Sequence, residues 1–473
     1  MREFDLFVNG EWLCPEREAW IDNVNPATGE VFCRVSAAGE KEVEEALRGA
    51  YEARKDWGRS LAKEREAILL KAADCLEEDA EKYIPWLIDE SGSSLTKITA
   101  EIASCAGLIR TAAGECCRIA GGVIQGEYSN HLSYYTRNPL GVVVGIAPFN
   151  YPLFLAINKV AFAIAMGNTF ILKPSSYTPL SGLVIARCFE KAGLPKGVLS
   201  VLPGSGRVVG DALTADKRVR MVALTGSSQV GQRIAVQAAS SLKRYSLELG
   251  GKNPMLILKD FDVDKAADIA VFGGYFHQGQ ICMATSRIIA EEPVYEKFCE
   301  VMAEKTGKII MGDPHDPDTI VGPLIHEKQC RVLDRLIEDA VSKGAKLLAG
   351  GKHRGAFYEP TLLKDVTQEM DIFYEECFGP VVCVICAEDA RHGVELCNDN
   401  EYGLSSSILT NDITLAISLS EEIEAGMVHI NESTVVGSTR APFGGVKMSG
   451  VGRENSSFSA EEYTELKWVT VQH

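Results

Sequence analysis

Charged and apolar residues alternate at helical spacing through residues 41–57 and again through 62–89, so each stretch predicts an amphipathic helix with one face on a core. The turn cluster Asn25-Pro26-Ala27-Thr28-Gly29 precedes them, and residues 1–12 have the mixed polarity of strands. From Gly141 the texture changes. Val142-Val143-Val144-Gly145-Ile146 is a short apolar run closed by Pro148, which predicts a buried strand. Residues 153–166 then predict a helix, 169–172 a strand ending at Lys173-Pro174, 180–192 a helix, and 198–202 and 221–225 further strands. Strand and helix alternating at this interval predict a parallel, doubly wound sheet. A second block from about Gly251 to Ile430 repeats the texture, with strands at 254–258, 381–385 and 404–410 and a helix at 294–306. Residues 122–136 and 463–471 each alternate like a strand. No repeat and no long Gly/Ser linker separates the blocks, so they are expected to pack tightly.

A chain of 473 residues exceeds one compact core, and two or three domains are expected. Its 46% hydrophobic and 24% charged residues are ordinary for a globular protein. The net charge of −17, with no dense Lys/Arg cluster, argues against nucleic-acid and acidic-membrane partners. Residues 152–172 form the only candidate membrane span, but Asn158 and Lys159 interrupt it and Gly167-Asn168 reads as a helix stop, so a buried helix followed by a buried strand is expected. The 14 cysteines are scattered apart from the vicinal Cys116-Cys117, and no metal site is expected. The start of the chain has no basic segment leading into an apolar core, so the reading is a reducing cytoplasm.

Cys282 has the most unusual setting of these thiols, His277-Gln278-Gly279-Gln280-Ile281-Cys282-Met283. A glycine there lets backbone approach a ligand, and nearby N–H groups suit a developing oxyanion; a buried structural cysteine is the alternative. A thiol of ordinary pKa, about 8.5, needs help to ionise, so a positive or N–H-rich pocket is expected around a nucleophile. Glu248 lies between two leucines and ahead of Gly250-Gly251; partial burial would make it a base near neutral pH, and a helix-end glutamate is the alternative. Asn150, between Pro148 and Pro152, is either a turn residue or an amide donor. Gly204-Ser205-Gly206 with Gly210 is a loose dinucleotide fingerprint, while Thr225-Gly226-Ser227-Ser228 after an apolar strand sets a hydroxyl and a helix start where a pyrophosphate could bind.

Together these segments resemble the aldehyde dehydrogenase superfamily. Glu248 with Leu249-Gly250-Gly251-Lys252-Asn253-Pro254 looks like its glutamate signature, and Gly279-Gln280-Ile281-Cys282, 34 residues after Glu248, like its cysteine signature. Pro148-Phe149-Asn150, Lys173-Pro174, Leu224-Thr225-Gly226-Ser227, Glu375-Glu376-Cys377-Phe378-Gly379-Pro380 and Pro442-Phe443-Gly444-Gly445 follow in family order. The resemblance implies two doubly wound α/β domains, a Rossmann-like cofactor domain (1–118 and 139–247) and a catalytic domain (248–446), with a small β oligomerisation flap (119–138 and 447–473). It implies Cys282 as nucleophile, Asn150 and the Cys282 N–H as oxyanion donors, and Glu248 as the base that activates water. A base at this position favours release of a free acid over acyl transfer to coenzyme A. A nicotinamide dinucleotide would be held by Lys173, Ser176, Gly206, Gly226, Ser227, Glu376 and Phe378.

Ser176 stands where many NAD-specific relatives have a glutamate. Loss of that carboxylate removes a repulsion from a 2′-phosphate, so NADP is expected to be accepted alongside NAD. Around Cys282 the sequence looks most like benzaldehyde, vanillin and salicylaldehyde dehydrogenases. By family position Tyr151, Phe154, Phe276, Ile281 and Met283 would line the substrate tunnel, an apolar and aromatic set with no Arg or Lys to hold a substrate carboxylate. The family also implies a homodimer or homotetramer. Two other readings use the same residues: a cofactor-independent thiol esterase, which leaves the cofactor motifs unexplained, and a non-catalytic binding protein, which leaves Cys282, Glu248 and Asn150 unexplained.

Overall fold

The computed structural model describes residues 1–14, 19–126 and 128–472. Five short strands come first: β1 (Arg2–Phe4), β2 (Leu6–Val8), β3 (Glu11–Leu13), β4 (Trp20–Val24) and β5 (Val31–Ser36). Four helices follow: α1 (Glu40–Arg59), α2 (Ala62–Glu78), α3 (Ala80–Ser91) and α4 (Leu95–Glu115). The stretch 62–89, expected as one helix, is two. Asp79 leaves helical geometry (φ −93°, ψ 5°), and its carboxylate accepts hydrogen bonds from Tyr83 and Lys191. A break of one residue barely disturbs a period of 3.6, so the pattern carries no sign of it.

The alternating stretch 122–136 likewise divides into β6 (Gly122–Ile124) and β7 (His131–Pro139), paired antiparallel, with Glu127 between them outside the described residues. The apolar block then gives β8 (Val142–Ile146), α5 (Pro152–Ala165), β9 (Thr169–Lys173), α6 (Pro179–Ala192), β10 (Leu199–Val201), α7 (Asp211–Ala215), β11 (Val219–Thr225), α8 (Ser228–Ala239) and β12 (Arg244–Glu248). The five strands run parallel in the order β12-β11-β8-β9-β10. The central strands β11, β8 and β9 are apolar on both faces because alternate residues enter different cores. Val143, Phe170, Met221 and Ala223 pack with α5 and α6, whereas Val142, Val144, Ile171, Val222 and Leu224 pack with α1 and α8. The chain winds outward from β8 to β10, then returns to β11 and β12 on the other side. This reversal leaves a crevice at the carboxyl ends of β8 and β11, where sheets of this kind bind ligands.

A second doubly wound sheet starts with β13 (Asn253–Ile257), α9 (Val263–Tyr275) and β14 (Thr285–Glu291). Strands Thr361–Lys364 and Val381–Ala387 extend it beyond β14, and Ser405–Leu409 and Met427–Ile430 extend it beyond β13, all parallel; Lys346–Ala349 closes one edge antiparallel. The strand Val381–Ala387 contains Cys383-Val384-Ile385-Cys386, a Cys-x-x-Cys spacing that corrects the view of the cysteines as scattered. Its thiols cannot share a metal, because residues three apart on a strand leave opposite faces: Cys383 is buried and Cys386 exposed. Among the described residues no group of three or more His, Cys, Asp or Glu side chains is arranged to hold a metal ion.

Residues 447–473, assigned from the sequence to the flap, also serve the first sheet. Gly450–Val451 pairs antiparallel with the end of β12, and the helix Ser456–Glu462 packs on α5 and α4. Only the final strand, Thr464–Gln472, joins β7 and β6 in a three-stranded antiparallel sheet. The candidate span 152–172 resolves into α5, a tight turn and β9, and among the described residues no helix is long and apolar enough to cross a membrane. Phe162 on α5 is fully buried between helices and sheet. Phe162→Ala should therefore destabilise the protein by about 3–5 kcal/mol. Urea unfolding would show this as a lower midpoint with the slope retained, and a wild-type midpoint would remove α5 from the core.

Candidate active site

The carboxyl ends of the first sheet gather most of the chemistry. Asn150 follows β8, Lys173 ends β9, Thr225 ends β11 and Glu248 ends β12. On one side of the crevice Lys173 is buried, and its Nζ donates to the Pro174 carbonyl at 3.0 Å. Burial pulls its ammonium down to about 8, and it has no carboxylate partner among the described residues. Ser176 is exposed and its Oγ donates to the Gly204 carbonyl at 3.0 Å, close to Gly206, which opens the helical turn Gly206–Gly210. Gly226 leads into Ser227, the N-cap of α8, whose hydroxyl accepts from the Val230 N–H at 3.4 Å. The hydroxyl of Thr225 beside it is buried without a partner among the described residues. Across the crevice Glu376 accepts from the Gly251 N–H at 3.0 Å, and burial pushes its carboxyl up to about 7. Phe378 meets Phe149 edge-on at 5.7 Å. A lone buried cation, an unmatched hydroxyl at a helix start and a half-buried carboxyl fit the phosphates and ribose hydroxyls of a dinucleotide.

Cys282 is delivered by an unusual backbone. After α9 the chain passes through His277 (φ 51°), Gln278 (φ 56°) and Gly279 (φ 66°), a left-handed run that side chains disfavour. Gln278 sustains it by donating to the carbonyls of Gly92 and Pro323, both at 2.9 Å, and Gln280 accepts from the Ile325 N–H at 3.0 Å. A Cβ on Gly279 would lie 2.3 Å from the Gly379 carbonyl oxygen. The glycine read as making room for a ligand instead makes room for the loop that carries Glu376 and Phe378. Asn253 donates to the Cys282 carbonyl at 2.8 Å, and a Cβ on Gly251 would meet that same oxygen at 2.5 Å. Both signatures around Cys282 and Glu248 are thus fitted to one another.

The electrostatics differ from expectation. Burial, then Glu248, then Glu376 push the Cys282 thiol well up, and the N–H groups of Met283 and Cys282 pull it back. The pocket is N–H-rich as expected, but the largest influences on the thiol include no cation. Glu248 is fully buried rather than partly, at the end of a strand rather than a helix, and both its oxygens lack partners among the described residues. Burial and the neighbouring Glu454 hold its carboxyl well above the usual range, against Lys159 and Arg453. Glu454 is itself gripped by Lys159 at 2.5 Å and Asn158 at 2.8 Å. Sequence reasoning missed Glu454 and Lys159; the visible signal was Asn158-Lys159 in an otherwise apolar helix, read there only as an interrupted span.

A cavity of about 280 Å³ opens on Cys282 and Asn150. Tyr151, Phe154, Phe276, Ile281 and Met283 all line it, with Phe443 of the Pro442-Phe443-Gly444-Gly445 motif and with Phe272, Val435 and Thr439, which the sequence reading had not singled out. Lys97 and Glu101 line it too, so the expectation of a wall without lysine is corrected. A larger cleft of about 880 Å³ beside α1, lined by Arg48, Glu52, Asp56 and Lys196 among others, shares no residue with it.

The model of the aldehyde dehydrogenase family matches residues 12–469. A benzaldehyde dehydrogenase of Bacillus subtilis is 37% identical over 468 residues, covering 99% of this chain and 96% of its own. A glutarate-semialdehyde dehydrogenase of Pseudomonas putida is also 37% identical, over 466 residues, covering 98% and 97%. The crystal structure of a salicylaldehyde dehydrogenase from Pseudomonas putida, complexed with salicylaldehyde, superposes with a TM-score of 0.98 at 36% identity, covering 100% of this chain and 99% of that one.

The raised thiol has a direct consequence. Only the thiolate is alkylated, so in protein without dinucleotide the iodoacetamide reaction of Cys282 should quicken about tenfold per pH unit, with no plateau up to about pH 9. Peptide mapping would follow it, and an inflection below pH 7 would contradict the desolvated thiol.

Proposed function

The chain belongs to the aldehyde dehydrogenase family, and we propose that it oxidises an aromatic aldehyde of the benzaldehyde type to the free carboxylic acid. The family makes it an NAD(P)-dependent enzyme. The observation that carries the substrate reading is the cavity on Cys282, walled by the rings of Tyr151, Phe154, Phe272 and Phe276. Such a wall suits a flat ring. Whole-chain similarity does not make this choice, since the benzaldehyde and glutarate-semialdehyde relatives match equally well.

In this reading Cys282 gives its thiol proton to Glu248, which passes it on to solvent, and the thiolate attacks the aldehyde carbon. The oxygen that becomes negative is held by the Asn150 amide and the Cys282 N–H, each such donor being worth roughly 3–4 kcal/mol in the transition state. A dinucleotide, which Lys173, Ser176, Gly206, Gly226, Ser227, Glu376 and Phe378 would hold, would accept the hydride that the thiohemiacetal carbon gives up, leaving a thioester on Cys282. Glu248 then takes a proton from the water that cleaves the acyl group from Cys282. Burial makes the Glu248 carboxylate a stronger base than an exposed one whenever it is ionised. Residues 1–118 and 139–247 would carry the dinucleotide and 248–446 the chemistry. Residues 119–138 and the tail of 447–473 would join subunits into a dimer or tetramer, which the exposed Leu466 and Trp468 on the last strand favour.

Absorbance of the reduced nicotinamide, with benzaldehyde and NAD or NADP in parallel, tests the reading. Turnover should be strong in the wild-type protein and absent in Cys282→Ala. An aliphatic aldehyde with a far larger kcat/KM than benzaldehyde would overturn the aromatic assignment. Because no carboxylate stands at Ser176, NADP should be accepted; Ser176→Glu should weaken NADP turnover selectively, and an unchanged ratio of NAD to NADP turnover would count against that assignment.

A further inference from the structure

Beneath the cavity α4 carries a buried ion pair one helical turn long, Lys97 with Glu101, both side chains at most 1% exposed. Lys97 Nζ donates to Glu101 Oε2 at 2.5 Å and to the Asn150 carbonyl at 2.8 Å, and stands 4.1 Å from the centre of the Tyr151 ring. An ammonium has three protons, and a carboxylate, a carbonyl and a ring face account for them. The other Glu101 oxygen accepts from the N–H groups of Leu153 at 3.1 Å and Phe154 at 3.0 Å. Those N–H groups belong to the first turn of α5 and have no partner within their own helix. The pair thus grips the backbone on both sides of Tyr151, and three of the residues it holds, Asn150, Tyr151 and Phe154, line the cavity with Cys282.

We propose that Lys97 and Glu101 are positioning residues for the reaction, fixing Asn150 and Tyr151 against Cys282, and that their mutual neutralisation restricts the cavity to uncharged aldehydes. This rests on the reading of Cys282 as nucleophile and Asn150 as oxyanion donor. The two halves of the pair fail differently. Without Lys97 the Asn150 carbonyl loses its anchor. Without the Glu101 charge the ammonium keeps only a carbonyl and a ring, and faces the cavity as an unpaired cation that a substrate carboxylate can satisfy.

Full-length Lys97→Met, Glu101→Gln and the double variant would be assayed with benzaldehyde and with 4-carboxybenzaldehyde. Lys97→Met should lower kcat for benzaldehyde about ten- to a hundredfold with KM little changed, the mark of a misplaced transition-state donor. Hydrolysis of 4-nitrophenyl acetate without dinucleotide should fall in parallel, since it uses the same oxyanion donors. Glu101→Gln should raise the kcat/KM ratio of 4-carboxybenzaldehyde to benzaldehyde about tenfold or more. A merely structural pair would leave that ratio where it is in the wild type. Should a single variant not fold, the neutral double variant decides, because replacing both buried charges leaves neither unpaired. It should show low kcat and the wild-type preference. Wild-type kcat in Lys97→Met or in the double variant, or an unchanged ratio in Glu101→Gln, would overturn the proposal. A wild-type protein that oxidises no aldehyde would remove the oxidation reading instead, and this inference with it.

Discussion

The site depends on one close approach of backbone to backbone, where Gly279 lies against Gly379. A side chain on Gly279 would come within 2.3 Å of the Gly379 carbonyl, so these two loops can meet only if that position is bare. The meeting fixes the last residues before Cys282 and the loop bearing Glu376 and Phe378 in one act. Gly251 repeats the device from a third direction, leaving space for the Cys282 carbonyl that Asn253 holds. Three loops from distant parts of the chain therefore lock around one peptide. The left-handed run from His277 to Gly279 is affordable only because Gln278 and Gln280 bind the surrounding backbone.

Packing this tight removes water, and the charges reflect it. Cys282, Glu248 and Glu376 each raise toward their neutral forms, chiefly by burial, and the two carboxyls also act on the thiol. Two of the buried ions nearby are held in closed pairs, Lys97 with Glu101 and Lys159 with Glu454. Buried charge costs several kcal/mol per ion unless its partner and remaining hydrogen bonds are supplied, which Asn150, Leu153 and Phe154 do for one pair and Asn158 does for the other. The cavity therefore sets reacting groups whose charged forms burial disfavours against charged but saturated supports.

Much of this was legible in the chain. The apolar run at Val142–Ile146 and the alternation after it give four of the five parallel strands of the first sheet, because strands so deeply buried carry few polar residues to confuse the pattern; β12, with Arg244, Ser246 and Glu248, was missed for lack of that signal. Asn150, Glu248 and Cys282 stand out as polar or reactive residues in apolar or glycine-rich settings. What periodicity cannot carry is contact between distant segments. Lys97 looks like any helix lysine until α4 is laid beneath Asn150, and Glu454 is an ordinary surface glutamate until it meets Lys159. The Asp79 corner and the division of 122–136 into two strands were missed for a related reason, since both are breaks within an otherwise continuous pattern. Gly279 was noticed but given the wrong neighbour, because sequence shows that a side chain is missing and not what fills the space.

Two relatives named for different substrates match this chain at the same 37% identity. Substrate choice must then reside in few positions, and the cavity shows where they are. Its walls come from α4, the start of α5, the end of α9, the cysteine loop and the segment from Val435 to Phe443, none of which is near another in sequence except the last turn of α9 and the cysteine loop. Admitting a carboxylate into such a space requires a cation with a free proton, since desolvating the anion alone costs more than aromatic contact returns. Whether a lysine lines the wall is therefore the wrong question to ask of such a sequence. What matters is whether its protons are already taken, and that is decided by a residue one helical turn away and by a backbone carbonyl across the crevice.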